Sequence, residues 1–556
     1  MADNRPWLAL YPAGVPANID ADQYCNLVEF YEECFVKYKN LNAYEFMGKT
    51  MTYNQLDKES RNFAAYLGSR GLEAGDKIAV MLPNCLQYPI ASIGAMRAGL
   101  VVVNTNPLYT KREMEYQFND SEVKAIIILD NFAKNLEEVI DKTKIKVVIT
   151  TSLGDLLGDV KGWVVNFAIK YVKRMVPSYS IPNTVNIKGA LLAGQKFTIK
   201  PFKNTSDTVI VHQYTGGTTG ISKGAMLTNQ NLVANMLQMR AVMNVCLSEK
   251  VEVALSPLPM YHIFAFTVNC LAMMSLGAKT VLVANARDIG SILKEFSKNE
   301  ITLMSGLNTL FIAMMNHPDF KNSNFSKLKC VVAGGMAVQT SVAQRWEDLT
   351  GCRIVEGYGM TESSPVITVN PLNQNARLGY IGLPVPSTEV RIVDDYGEDV
   401  AIGQAGELIA RGPQIMKGYY KRLDETAKTV KGGWLYTGDI GVMEQDGFFK
   451  IVDRKKDMIL VSGFNVYPNE IEEVFSKHPK VLEVAAIGII DEKSGEAIKL
   501  FIVKRDASLT KDELMDYAHE NLTGYKCPKE IEFRKELPKT NVGKILRREL
   551  RESHGK

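Results

Sequence analysis

YTGGTTGISKGAM, residues 214–226, decides how the rest of the chain is read. Four glycines (Gly216, Gly217, Gly220, Gly224) alternate with four hydroxyls (Thr215, Thr218, Thr219, Ser222), and Lys223 is the single cation. Glycine lets backbone N–H groups close on an anion, hydroxyls add neutral donors, and the lysine adds charge. Before the loop, DTVIVHQ is β-branched and predicts a strand. After it, LTNQNLVANMLQM predicts a helix with Thr228 or Asn229 at its N-cap. A loop of this kind can cradle phosphate. It is not a Walker A loop, which needs Gly-Lys followed directly by Ser or Thr; here Lys223 lies between Ser222 and Gly224. The plain alternative is a surface turn, which seldom gathers this many hydroxyls with a lysine.

Upstream, strands and helices alternate. KIAVMLPN, LVVVNTNP, KAIIIL and KVVIT predict strands, and LQYPIASIGAMRAG, KREMEYQFNDS and NFAKNLEEVIDKT predict the helices between them. That alternation argues for a parallel sheet flanked by helices. Residues 27–69 read as mostly helical with a hairpin near Met47–Thr52. Downstream, VEVALSPLPMYHIFAF reads as strand, turn and helix start, with His262 at the turn. Gly334 and Gly335 end a strand, where a nucleotide base can lie against bare backbone. Short strands punctuated by Gly and Pro fill residues 379–453, a small β-rich subdomain. RKKD then marks a linker, and residues 457–556 form a small α+β unit.

The fold class expected is therefore α/β. Residues 1–453 form a large N-terminal domain of two partly parallel α/β subdomains plus the β-rich one, 454–456 a linker, which the resemblance given below makes a hinge, and 457–556 a small α+β domain, which it makes mobile. At 556 residues more than one domain is required. A net charge of +3 carries no nucleic-acid signal, and eight cysteines without a CxxC pair suggest reduced thiols in a cytoplasmic protein. MADNRPWLALYPAGVP lacks the pattern of a secretory signal. The longest apolar stretch, Ile263 to Ala278, is too short and interrupted for a membrane span and reads as a buried core helix.

Residues 151–197 form an insert. On a helical wheel, Trp163 to Met175 gathers Asn166, Lys170, Lys173 and Arg174 on one narrow arc and apolar side chains on the rest, and Pro177 stops it. An interfacial membrane helix and a helix packed on the protein's own core both fit this pattern.

Five motifs carry a resemblance to the adenylate-forming superfamily of acyl-CoA synthetases, luciferases and peptide-synthetase adenylation domains. They are the phosphate loop, the segment around His262, RIVEGYGMTESSPV with Tyr358, Gly359, Thr361 and Glu362, GGWLYTGDIGVMEQDGFFKIVDRKKDMI, and PKTNVGKILRREL with Lys544. The fourth is similar nearly end to end to the fatty acyl-CoA synthetase signature, with Gly432 where an acid commonly stands. The resemblance spans almost the whole chain and is nearest to bacterial long-chain fatty-acid–CoA ligases.

What it implies is a two-step ligase using ATP, CoA and Mg²⁺. ATP/AMP contacts are implied from Tyr214 through Ala225, Ile221 included, at Gly334 and Gly335, along Glu356, Gly357, Tyr358, Gly359, Met360 and Thr361, and at Asp439 and Arg454. Glu362 and Thr218 would hold the metal, Lys544 would serve adenylation, and His262 would guard the carboxylate and thiol entrance. Lys456 would be the hinge and Gly463 would line the CoA path. A homodimer and peripheral contact with the inner face of the membrane are further expectations, with no nucleic acid as partner. Alternatives are a CoA ligase for a medium-chain or aryl acid and a non-catalytic lipid-binding relative. In a peptide-synthetase adenylation domain an acid follows the aromatic of the His262 motif; Ile263 stands there instead, so the pocket is apolar.

Overall fold

The computed structural model describes residues 5–215, 222–462, 464–491, 494–540 and 543–554. Gly216, Gly217, Thr218, Thr219, Gly220, Ile221 and Gly463 lie outside the described residues.

Two sheets dominate the large domain, and each contains a block of six parallel strands. The eight-stranded sheet runs Gly418–Tyr419, Lys223–Thr228, Val209–Thr215, Val101–Asn104, Lys77–Met81, Val123–Leu129, Val147–Thr151, Val185–Asn186, with the first two strands antiparallel. The nine-stranded sheet has Ile354–Gly359, Cys330–Ala333, Leu303–Gly306, Val253–Ser256, Lys279–Leu282 and Asn42–Phe46 parallel. Antiparallel strands Val366–Val369 and Leu383–Pro384 close one edge and Lys49–Thr52 the other. Runs such as AIII and VVV suit this arrangement because both faces of a parallel sheet are covered by helices; Ala125 to Ile128 are fully buried.

A third, antiparallel sheet holds Glu389–Val393, Gly406–Arg411, Val430–Lys431, Trp434–Met443 and Phe449–Arg454. The small C-terminal domain has its own five-stranded sheet and its own core around Val466, Phe475, Ile498 and Leu514. The expected α/β architecture, a large mixed-sheet domain followed by a small one, is what the chain adopts.

Three local readings differ. KGAMLT, taken as part of the phosphate loop, is a strand, Lys223–Thr228, paired antiparallel with Val209–Thr215. The helix starts only at Asn229, with Thr228 as its N-cap: the Thr228 hydroxyl accepts from Asn231 N and the Asn231 side chain accepts from Thr228 N. NFAKNLEEVIDKT is broken into a short helix, Ala133–Glu137, between two 3₁₀ turns. The Trp163–Met175 helix begins earlier, at Asp159, and becomes a π-helix over Ala168–Val172. Asn166 leaves the cationic arc assigned to it: its side chain turns inward to Gly154 and Asp155.

Ile263 to Ala278 is buried as expected, its middle a π-helix over Phe266–Ala272. All eight cysteines are free thiols.

Candidate active site

The antiparallel pairing of Val209–Thr215 with Lys223–Thr228 aligns Thr215 with Lys223. This end of the pair is fastened. The Tyr116 hydroxyl donates to Ser222 O at 2.8 Å, and the Ser222 hydroxyl donates to Thr215 O at 2.5 Å. Tyr214 donates to Asp120 at 2.7 Å, and its ring lies where a β-carbon on Gly224 would come within 3.0 Å. Lys223 is ion-paired with Glu425, and its ammonium lies 5.2 Å from the centre of the Tyr419 ring.

Gly418–Tyr419 pairs with the loop's own return strand, Tyr419 opposite Ala225. That register brings the Tyr419 hydroxyl to Glu362 Oε1, a donation of 2.5 Å. Glu362 is 5% exposed. Burial pushes its carboxyl up, while Tyr419 and the Lys223 charge pull it down. Among the described residues no three His, Cys, Asp or Glu side chains gather around a metal position. A lone buried carboxylate fits Mg²⁺, which is held by one or two carboxylates with substrate phosphates and water completing its shell.

The opposite wall comes from the β-rich sheet. Asp439 and Arg454 are cross-strand partners, with Arg454 Nε 3.4 Å from Asp439 Oδ1. Tyr358, at the end of its strand, donates to Asp439 Oδ2 at 2.6 Å. Burial raises the Asp439 carboxyl against the pull of Arg454.

Lys544 closes the site from the small domain. Its backbone is held by Thr540 N, which donates to Lys544 O at 2.7 Å, and its neighbour Gly543 by Thr309, whose hydroxyl donates to Gly543 O at 3.3 Å. The lysine lies against Gly335, which has φ +82°; a β-carbon there would sit 3.0 Å from Lys544 Cε. Only glycine allows both the left-handed backbone and this approach. Burial and then the Arg454 charge, opposed by Asp439 and Glu362, bring the Lys544 ammonium down to about 8. Burial and the Lys544 charge hold the His262 imidazole down to about 3, so it is neutral. Its Nδ1 accepts from Phe264 N at 3.3 Å, which leaves the ring proton on Nε2, a donor. Beside it, Leu258, Phe264, Ala265, Leu307 and Met336 form an apolar cluster.

Glu362, Asp439, Arg454, Lys544 and His262 are thus brought together, with Tyr358 and Gly335 among them. Glu356 is engaged differently: its two oxygens accept from Val338 N at 3.0 Å and Gly379 N at 3.3 Å, tying two loops, and burial raises it to about 7. Gly359 presses on the chain ahead of it, where a β-carbon would meet Pro365 O. Gly357, Met360 and Thr361 carry the same strand end into a 3₁₀ turn. Lys456 sits in the turn Arg454–Asp457, and its charge reaches Asp439. Gly334 packs against the Phe264 ring, and Ala225 is buried in its strand. Sequence reading missed Tyr419 and Glu425. The signal available was GYYKRLDE, two aromatics and an acid just after a glycine in a short-strand region.

The AMP-binding enzyme family matches residues 31–420, and the AMP-binding enzyme C-terminal domain matches residues 470–544. The chain belongs to the AMP-binding enzyme family. A long-chain-fatty-acid–CoA ligase of Salmonella typhimurium is 52% identical over 99% of both chains. One from Bacillus subtilis is 37% identical, covering 99% of this chain and 98% of its own. Among solved AMP-binding folds, the anthranilate CoA ligase AuaEII in complex with anthranoyl-AMP superposes with a TM-score of 0.86 at 23% identity, over 97% of this chain and 99% of its own. ATP-bound MatB from Rhodopseudomonas palustris gives 0.82 at 24%, over 95% and 99%. These two share the fold.

Proposed function

We infer that this AMP-binding enzyme is a long-chain fatty acid–CoA ligase. A fatty carboxylate attacks the α-phosphate of ATP, giving acyl-AMP and pyrophosphate; the CoA thiol then attacks the acyl carbon and expels AMP. One observation carries the chemistry. Arg454, 3.4 Å from Asp439, lies with Asp439 and Glu362 close enough to Lys544, from the far end of the chain, for all three to shift its ionisation. The long acyl chain is supported by relatives of that printed activity at 52% and 48% identity across at least 98% of this chain.

Each group then has a role. The glycine-rich loop and Lys223 hold the terminal phosphates. Asp439, with Arg454 beside it, accepts from the ribose hydroxyls, and Tyr358 packs on the base. Glu362, with Thr218, would hold Mg²⁺, which supplies charge neutralisation at the phosphates when bound. Carboxylate attack brings two anions together, and the Lys544 cation offsets the charge that builds on the α-phosphoryl oxygens. The neutral His262 offers an N–H to the incoming carboxylate without drawing it into an ion pair. Since Lys544 belongs to the small domain, rotation about Lys456 would withdraw it for the thiol step, with Gly463 lining the CoA path. A water-poor lipid carboxylate is most concentrated at a bilayer, so a peripheral position at the membrane suits the substrate. No helix among the described residues is long and apolar enough to cross one.

The test is pyrophosphate release from palmitate and ATP without CoA, and CoA-dependent AMP release across acids from acetate to oleate. No pyrophosphate from any acid overturns the ligase; turnover confined to aryl or short acids overturns the fatty substrate.

A further inference from the structure

The helix of the insert is clamped on one side and bare on the other. Gly162 abuts Gly154 so closely that a β-carbon there would lie 2.4 Å from Gly154 O. Asn166 accepts from Gly154 N at 2.8 Å and donates to Asp155 Oδ1 at 3.0 Å. Asp155 in turn accepts from Thr151, from Ser152 N and from Asn186 at 2.8–3.0 Å. Lys161 is fastened to the carbonyl of Met47. The opposite face is therefore displayed in a fixed orientation.

That face is apolar. Trp163, Phe167 and Tyr171, four residues apart, are 66%, 44% and 60% exposed. Their rings form a ladder, with centroids 5.3 Å and 5.1 Å apart. Val160 and Val172 extend it at 81% and 70% exposure. Scattered exposed hydrophobes are ordinary, but a contiguous run of this length marks a surface that something covers. The helix does pack on the protein's own core, through Val165, but that contact leaves the ladder uncovered.

Charge identifies the cover. Residues 159–175 carry Lys161, Lys170, Lys173 and Arg174 against one acid, Asp159, and the four cations are exposed. A second copy of this chain meeting the same face about a twofold axis would set these cations against one another. An apolar stripe bearing Trp and Tyr, flanked by long cationic side chains, complements the boundary between acyl chains and anionic headgroups. We propose that residues 159–175 are an in-plane docking surface for an anionic lipid bilayer, the aromatic ladder entering the acyl boundary and Lys170, Lys173 and Arg174 meeting lipid phosphates. The fatty-acid reading above gives this docking its purpose; the docking itself rests on the side chains named here.

The full chain is tested for co-sedimentation with vesicles of phosphatidylcholine alone and of phosphatidylcholine mixed with phosphatidylglycerol. Two variants accompany it, W163S/F167S/Y171S and K170Q/K173Q/R174Q; all six positions are exposed, so the fold is spared. Each cation near an anionic surface is worth about fivefold in partition. The cation variant should therefore lose about a hundredfold on mixed vesicles, and the ladder variant at least about tenfold on both. Trp163 fluorescence should shift to the blue on mixed vesicles, and W163F should abolish the shift. Wild-type partition retained by the ladder variant overturns the proposal. So does a wild type that binds neither vesicle, or one that is a dimer dissolved by the ladder substitutions. Partition is read without turnover, so its failure is separate from failure of the ligase.

Discussion

Lys544 yields the sharpest expectation, a pH limb confined to one half-reaction. Its ammonium titrates near 8 in the free enzyme because the site desolvates it and Arg454 repels it. At pH 7 about nine-tenths of the molecules carry the cation, and at pH 9 about one-tenth, so pyrophosphate release without CoA should fall about tenfold across that interval. The limb should appear near 8 in kcat/KM for ATP, which reports the free enzyme, and lie higher in kcat, because bound phosphates favour the protonated form. Lys544→Arg keeps its charge throughout and should flatten the limb, whatever its absolute rate. Lys544→Met should lower adenylation by about 10²–10³-fold, the cost of losing one positioned charge partner, and leave conversion of supplied acyl-AMP to the thioester intact. Unfolding does not explain such a loss. A lysine whose folded value is depressed penalises folding fully below about 8, and the penalty fades as pH rises toward the unfolded value of 10.5. The methionine variant should therefore melt no lower than wild type at pH 7. A limb that persists unchanged in Lys544→Arg, or equal loss of both half-reactions in Lys544→Met, refutes the assignment.

Other substitutions test the rest of the cleft. Glu425 pairs with Lys223, the cation proposed above for the ATP phosphates, and the pair is partly open to solvent. Glu425→Gln should lower KM for ATP about two- to fivefold with kcat little changed; an unchanged or higher KM removes Glu425 from phosphate binding. Tyr419→Phe strips Glu362 of its 2.5 Å donor, and Mg²⁺ titrations of pyrophosphate release should show a requirement raised about tenfold or more; an unaltered Mg²⁺ dependence in this variant and in Glu362→Ala sinks the metal assignment. Glu356 titrates near 7 in the fold against 4.5 unfolded, so the wild type should lose stability relative to Glu356→Gln as pH rises from 4.5 to 7, by up to about 3 kcal/mol. Parallel denaturation curves for the two proteins over that range would contradict it.

What the sequence reveals here follows from where the deciding interactions lie. The parallel strands are legible because burial on both faces leaves an uninterrupted apolar run, as in Ala125 to Ile128. Lys223–Thr228 is illegible as a strand: glycine and lysine mark a loop locally, and only pairing with Val209–Thr215 makes it one. Thr228 as N-cap needs nothing beyond its own turn, and it reads correctly. The insert helix shows its amphipathic character at 3.6 residues per turn, yet the wheel misplaces Asn166. A fixed step cannot know that the chain changes to a π-helix at Ala168 or that Gly154 awaits a partner. Glu425 and Tyr419 escape because their partners lie 202 and 57 residues away. Each is an ordinary surface acid or aromatic until the sheet carries Tyr419 beside Ala225. The same holds for charge. Lys544 is a solvated lysine in any local reading, and its titration near 8 exists only because the Thr309 bond to Gly543 and bare backbone at Gly335 bring it among Arg454, Asp439 and Glu362. Motifs can name the participants of such a cleft, but their ionisation is a property of the assembled fold. For that reason the pH dependence of Lys544, more than its presence in a motif, tests whether the cleft carries out the proposed chemistry.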